Sequence, residues 1–203
     1  TERFSSQRYS EQLRQQWGAD EDTTVLIYVG RLSSEKEVNV VIDAYSELRQ
    51  QAQRKVKLVL VGHGPDRGRL EKMPGAEHVI FMGSLTGTQL AEAYASANVF
   101  VFASQVETFG NVVIEAMASG LPIIAYDYAC AQLHGRHAQN GWLCPIGDIK
   151  QFTQHVLDIP DNSTLKRFGQ QAMHDVQSIG WQHPVQQFEE ALYQVTQYAK
   201  RLT

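Results

Sequence analysis

Six short apolar runs punctuate the first three quarters of the chain: Thr24–Val29, Val56–Val61, Val79–Met82, Asn98–Phe102, Pro122–Ala125 and the weaker Gly141–Cys144. Most are nearly continuous in apolar side chains rather than alternating. That is the pattern of a strand covered on both faces, as in a parallel sheet. Between the runs the period changes to that of a helix. Val38, Val41, Ile42, Tyr45 and Leu48 recur at helical spacing. Thr86 and Gln89 have capping-box spacing ahead of Leu90–Ala97, and Asn111–Ser119 reads as a helix stopped by Gly120. Strand and helix alternate about six times, which predicts an α/β fold with right-handed crossovers. The expected architecture is Rossmann-like: a doubly wound, mainly parallel sheet of about six strands, followed by C-terminal helices. After Asp148 the strands cease. Leu165, Phe168, Ala172, Val176 and Ile179 form one helical stripe; Phe188, Leu192, Val195, Ala199 and Leu202 form another behind Pro184.

Composition narrows the class. A length of 203 residues is one large domain or two small ones. No repeat, low-complexity stretch or second domain stands out, so residues 24–203 are expected to form one unit. The polar opening Thr1–Ser6 reads as a linker, and residues 1–23 as an interdomain linker with a leading helix. With 18 basic and 22 acidic residues there is no global basic field, which argues against a nucleic-acid partner. Cys130 and Cys144 are the only cysteines, too few for a disulfide framework. No apolar run approaches the roughly 20 residues of a membrane helix.

In an open α/β sheet, ligands bind beyond the carboxyl ends of the strands. The loops at those ends therefore carry the chemistry. After the first strand comes Gly30-Arg31-Leu32-Ser33-Ser34-Glu35-Lys36-Glu37. Ser34 and Glu37 have capping-box spacing, so a helix is expected to begin at Ser34. Lys36 would then lie in its first turn, where the dipole disfavours a cation unless an anion binds there. Arg31 and Lys36 beside a helix N-terminus suit a phosphate; the alternative is pairing with Glu35, Glu37 or solvent.

After the second strand stands Gly62-His63-Gly64-Pro65. It invites a dinucleotide reading, but Pro65 interrupts it and no acidic residue follows the next strand. A tight turn into the helix containing Leu70 is preferred, with His63 solvated. The run Asp20-Glu21-Asp22 precedes the first strand, at the wrong edge for a metal pair, and reads as a solvated turn.

The loop after the fourth strand is the most informative. Glu107 lies within it, and Glu115 lies among Val113, Ile114, Ala116 and Met117. A carboxylate can accept two hydroxyls at once, which suits a ribose or hexose diol. Gly110-Asn111 opens a helix with free backbone amides. The alternative places Glu115 on an exposed face and makes Glu107 an ordinary loop charge. Paired carboxylates also occur in glycosidases, which have no need of the cationic loop alongside.

These motifs, in order, resemble a known pattern: Gly30-Arg31-Leu32-x-x-Glu35-Lys36, Gly62-x-Gly64-Pro65, Phe81-Met82-Gly83, Glu107-Thr108-Phe109-Gly110 and Glu115-Ala116-Met117-Ala118-x-Gly120-x-Pro122. Together they look like the carboxyl-terminal, donor-binding domain of a retaining glycosyltransferase of the two-domain GT-B architecture, family four type. The resemblance covers residues 1–148, and the Glu-x7-Glu segment is its most specific part. It implies transfer of a hexose from a UDP- or GDP-sugar to a sugar or lipid-linked acceptor, with no cofactor and no metal. It implies that Arg31 and Lys36 hold the donor diphosphate, with Gly30 beside them. Glu107 would contact the donor sugar, flanked by the amides of Phe109, Gly110, Asn111 and Val112. Glu115 would take the ribose diol, and Met82 to Leu85 would line the nucleobase.

There are departures from the pattern. Asp127-Tyr128-Ala129 replaces the paired glycines and Glu of many relatives and is closer to a subgroup in which mannosyl transfer is frequent. Asn98 stands in place of a common Asp, and Ala103 in place of a common Pro. The resemblance further implies an acceptor-binding amino-terminal domain outside these residues, so this part alone would be inactive. Two cysteines fit a reducing, cytoplasmic compartment, with any membrane contact expected at the inner face and through that other half. A non-catalytic nucleotide-sugar binding module and a GT-B sugar-nucleotide epimerase are the rival readings; an NAD oxidoreductase is more distant.

Overall fold

The structure, a computed structural model, describes residues 3–51 and 53–177. Six strands form one sheet: β1 (Thr24–Val29), β2 (Val56–Val61), β3 (Val79–Gly83), β4 (Val99–Phe102), β5 (Ile123–Tyr126) and β6 (Gly141–Cys144). Their order is β3-β2-β1-β4-β5-β6, and every neighbouring pair is parallel. The expected doubly wound α/β fold is therefore the observed one. The strands end within a residue or so of the apolar runs. Those in the middle of the sheet are buried along their whole length, because helices cover both faces.

The helices are α1 (Glu11–Gln16), α2 (Val38–Gln51), α3 (Arg67–Leu70), α4 (Gly87–Ala95), α5 (Asn111–Ala118), α6 (Ala129–His134), α7 (Ile149–Leu157) and α8 (Asn162–Val176). From the β1/β4 pair the chain winds outward in opposite directions. Right-handed crossovers then place α2 and α5 on opposite faces. α2 packs on α7, and α5 on α8. The α2 stripe, Val38, Val41, Ile42, Tyr45 and Leu48, is buried throughout. In α8, Leu165, Ala172 and Val176 are buried, and Phe168 stacks on Trp142 at 5.0 Å. Ile179 and the second stripe, from Pro184 to Leu202, lie outside the described residues.

Two helix starts differ from the sequence expectation. Thr86 precedes α4, but its side chain makes no capping bond. Ser34 opens only a 3-10 turn, Ser34–Lys36, and α2 begins at Val38. Glu37 between them is left-handed at φ 45°. Its carboxylate turns away from Ser34 to tertiary partners, so the capping box does not form.

Ahead of β1, the segment 10–23 packs against the strands and helices that follow it. Trp17 is buried, and the buried Arg14 guanidinium donates to the carbonyls of Ser96, Asp20 and Thr23 and to Asn98 Oδ1. Asn98 also accepts from the Val25 amide at 2.8 Å, tying β1 to the start of β4. Asp20 bonds Thr23 and pairs with Lys55, at the amino edge of the sheet. That is the expected turn.

The Gly62-x-Gly64 stretch is also a turn, leading into α3. The glycines serve a close approach of two backbones. A Cβ on Gly62, at φ 145°, would lie 1.8 Å from the Gly30 carbonyl oxygen; one on Gly64 would lie 2.2 Å from that of Leu32. The β1 loop fills the space a pyrophosphate would need under the dinucleotide reading. Leu32 N donates to His63 O at 3.1 Å, and Asp66 N to Leu32 O at 3.0 Å. Gly62→Ala is expected to lower stability by about 2–3 kcal/mol through this overlap. Urea unfolding of the two proteins measures it.

Candidate functional site

The winding direction reverses between β1 and β4, and the crevice outside their carboxyl ends is the expected ligand position. The loop after β1 begins at Gly30. A Cβ there would meet the Tyr28 hydroxyl at 2.7 Å, and that hydroxyl donates to the Arg31 carbonyl at 2.9 Å. Tyr28 is fully buried, so its phenol stays protonated, with burial the main cause and the charges of Glu107 and Glu35 adding to it. It fixes the backbone of Arg31 from below. The Arg31 side chain is exposed and, among the described residues, forms no ion pair. Ser33 Oγ donates to Glu35 at 2.6 Å, and this bond holds the Glu35 carboxyl below its usual range.

Lys36 leaves the 3-10 turn toward the loop after β4. Its ammonium lies 2.5 Å from Glu107 Oε1 and donates to the Val106 carbonyl at 2.6 Å. The two charged side chains are only 16% and 14% exposed. The sequence left Lys36 with Glu35, Glu37 or solvent as partners; the actual partner is Glu107, 71 residues away. The backbones of the two loops also touch, through Gln105 N donating to Glu35 O at 3.3 Å.

After Glu107 the chain turns through Gly110, left-handed at φ 84°, into α5. Phe109 is half exposed, Asn111 exposed and Val112 half buried. Among the described residues the Asn111 and Val112 amides have no protein acceptor, as the first turn of a helix requires. Lys36, Glu107 and two free amides therefore lie on the adjoining loops after β1 and β4.

Glu115 lies on α5, half buried, and accepts from the Tyr94 hydroxyl at 3.2 Å. Burial raises its carboxyl pKa, and the Tyr94 bond partly opposes that. The alternative of an exposed face does not describe it. A folded-state carboxyl pKa above the unfolded one stabilises the fold below the unfolded value, and that stability is lost as pH rises through the folded value. Glu115→Gln is thus expected to raise Tm at neutral pH, with the gain shrinking as pH falls through the carboxylate range. Melting curves of both proteins against pH check it.

Met82 and Leu85 are half buried at the end of β3, two strands from β1 and so about 10 Å to the side. They do not touch the Lys36–Glu107 pair. Among the described residues no cluster of metal-ligating side chains occurs, and no helix is long and apolar enough to cross a membrane.

Four site residues were not foreseen. Glu37 Oε1 accepts from Gln105 Nε2 at 2.6 Å, and Oε2 from the buried Tyr126 hydroxyl at 3.0 Å. Tyr94 holds Glu115. Gln105 and the tyrosines carry no local signal. Glu37 had one, a second carboxylate beside a lysine, but the capping pattern explained it first.

Residues 10–175 match the family model described as glycosyl transferases group 1. A GDP-mannose-dependent alpha-mannosyltransferase of Mycobacterium tuberculosis is 41% identical over 150 residues, which is 73% of this chain and 37% of that protein. The N-acetyl-alpha-D-glucosaminyl L-malate synthase of Bacillus anthracis is 28% identical over 200 residues, 96% of this chain and 51% of that protein. Among solved structures, sucrose-phosphate synthase from Thermosynechococcus elongatus superposes with a TM-score of 0.78 at 25% identity, over 96% of this chain and 51% of its own. Anabaena HepE, solved with UDP and glucose, superposes with a TM-score of 0.75 at 24% identity, over 94% and 55%. The chain thus spans between a third and just over half of these proteins' lengths. With the family model matching 10–175, most of its length, the chain belongs to the group 1 glycosyl transferases.

Proposed function

We propose that this chain is the donor-binding half of a retaining, family four type hexosyltransferase that uses a nucleoside-diphosphate sugar. The observation that carries the reading is the meeting of Lys36 and Glu107 in the β1/β4 crevice. A cation for phosphate and a carboxylate for sugar hydroxyls lie one hydrogen bond apart, as the two halves of such a donor do. Arg31 and Lys36 hold the diphosphate, with Gly30 letting the loop lie close. The amides of Phe109 through Val112 face the phosphates and sugar. Glu107 takes hydroxyls of the donor hexose, Glu115 the ribose diol, and Met82 to Leu85 flank the nucleobase.

In the reaction the bond from the anomeric carbon to the diphosphate oxygen breaks. The acceptor oxygen forms the new glycosidic bond on the same face, and its proton passes to the departing diphosphate oxygen. Negative charge grows on the departing diphosphate. Arg31, Lys36 and the α5 amides meet that charge as it grows, and so stabilise the transition state more than the ground state. With two cations in this loop, no metal ion is required for that charge. A separate domain, accounting for the remaining length of the relatives, supplies the acceptor site. Residues 1–23 then link and lead into the donor domain, and residues 24–203 form it.

GDP-mannose is the first donor to try, given the mannosyltransferase relative and the Asp127-Tyr128-Ala129 stretch. Calorimetric titration of the chain with GDP-mannose and UDP-glucose tests the reading. Saturable binding of at least one supports it; no binding of either, with the protein folded, rejects it.

A further inference from the structure

Glu37 is the one residue of the β1 loop whose conformation works against its own side chain. It is left-handed at φ 45°, a region that disfavours residues with a Cβ. Its backbone is nevertheless fixed on both sides. Its amide donates to Ser34 O at 3.1 Å, closing the 3-10 turn, and its carbonyl accepts from Val40 N at 2.9 Å, opening α2. The surroundings that hold it there are the two arms of its carboxylate. One arm reaches Gln105 on the β4 loop at 2.6 Å. The other reaches Tyr126, the last residue of β5, whose ring is buried against Phe152. The loop after β6 lies alongside, since a Cβ on Gly147 would stand 3.7 Å from Gln105 Nε2. One carboxylate therefore joins the ends of β1, β4 and β5, next to a fourth loop, and immediately follows Lys36.

We infer that Glu37 is a positioning residue for Lys36, fixing the loop from which its ammonium reaches a donor diphosphate. This rests on the proposed donor-binding function. The left-handed turn sets the direction in which Lys36 leaves the backbone. The Gln105 arm fixes the β4 loop that Lys36 faces. Strained conformations persist where surrounding contacts over-determine them, and they gather at sites that need a side chain held in place. Residues that orient a binding group are worth about tenfold or more in affinity at metal sites, where the same support operates.

Removing Glu37 alone would orphan the buried Tyr126 hydroxyl and damage the fold for an unrelated reason. The variant is therefore Glu37→Gly/Tyr126→Phe, which removes both partners and relieves the left-handed strain. Its affinity for GDP and UDP is measured by calorimetry, alone and in a Lys36→Ala background, with melting curves alongside. The expected result is a melting temperature close to the parent's and affinity about tenfold lower, shrinking to less than about twofold when Lys36 is already alanine. An equal loss in both backgrounds, or no loss in either, overturns the inference. Failure of the parent protein to bind either nucleotide rejects the donor-binding reading itself, a distinguishable outcome.

Discussion

Replacing Arg31 and Lys36 together with alanine is expected to weaken nucleoside-diphosphate binding by a hundredfold or more. Each cation contributes charge-assisted hydrogen bonds of about 1.5–3 kcal/mol, and two such contributions exceed the roughly 2.7 kcal/mol that separates hundredfold affinities. The fold should be little affected. Arg31 is exposed and, among the described residues, has no ion-pair partner. Lys36 leaves behind one carboxylate, Glu107, which is not fully buried. Salt should weaken parent binding and scarcely alter the residual binding of the variant, because screening acts on the charges removed. Calorimetry with GDP and UDP at two ionic strengths reads both effects. Unchanged affinity in the double variant removes the phosphate role from this loop.

Glu107→Gln is expected to act in opposite directions on product and on transfer. Glu107 lies 2.5 Å from the Lys36 ammonium, and under the proposed donor-binding function the diphosphate competes with it for that ammonium. A diphosphate must draw Lys36 away, leaving a largely buried carboxylate beside a second anion. An intact nucleotide-sugar compensates, because its hydroxyls donate to that carboxylate. A free nucleoside diphosphate has no hydroxyls there and meets only repulsion, of the order of a few kcal/mol at about 4–5 Å near a protein surface. Glutamine removes the repulsion, so GDP or UDP should bind about tenfold more tightly. Transfer by a protein that also carries the proposed acceptor domain should fall by about a hundredfold or more, as the sugar loses its fixed acceptor. The same competition gives a route for product release: once the sugar has gone, Glu107 returns to Lys36. Equal or weaker binding of the nucleoside diphosphate by the variant contradicts this account.

The sheet was readable because its central strands are buried on both faces, and an apolar run such as Thr24–Val29 is too short for a buried helix. The order of the strands was not contained in any run. Lys36 and Glu107 meet because β4 pairs with β1 rather than with β3, a choice made by packing across the whole domain. Their residue types marked both as candidates, and their partnership needed the topology. Glu37 shows the opposite failure. Ser34 and Glu37 satisfy a local capping rule, but the carboxylate gains more from Gln105 and a buried Tyr126 hydroxyl than from an exposed amide. The glycines of the 62–64 turn were correctly read as a turn. Their sharper constraint, the carbonyls of Gly30 and Leu32 against them, belongs to a neighbouring loop and leaves no trace nearby in the sequence.

The most direct test of the donor site is a crystal structure of this chain with GDP or UDP bound. The account predicts the diphosphate in the β1/β4 crevice, within hydrogen-bond reach of Lys36 and Arg31, with the Lys36–Glu107 pair opened. A nucleotide bound elsewhere, or bound with that pair still closed, would contradict it.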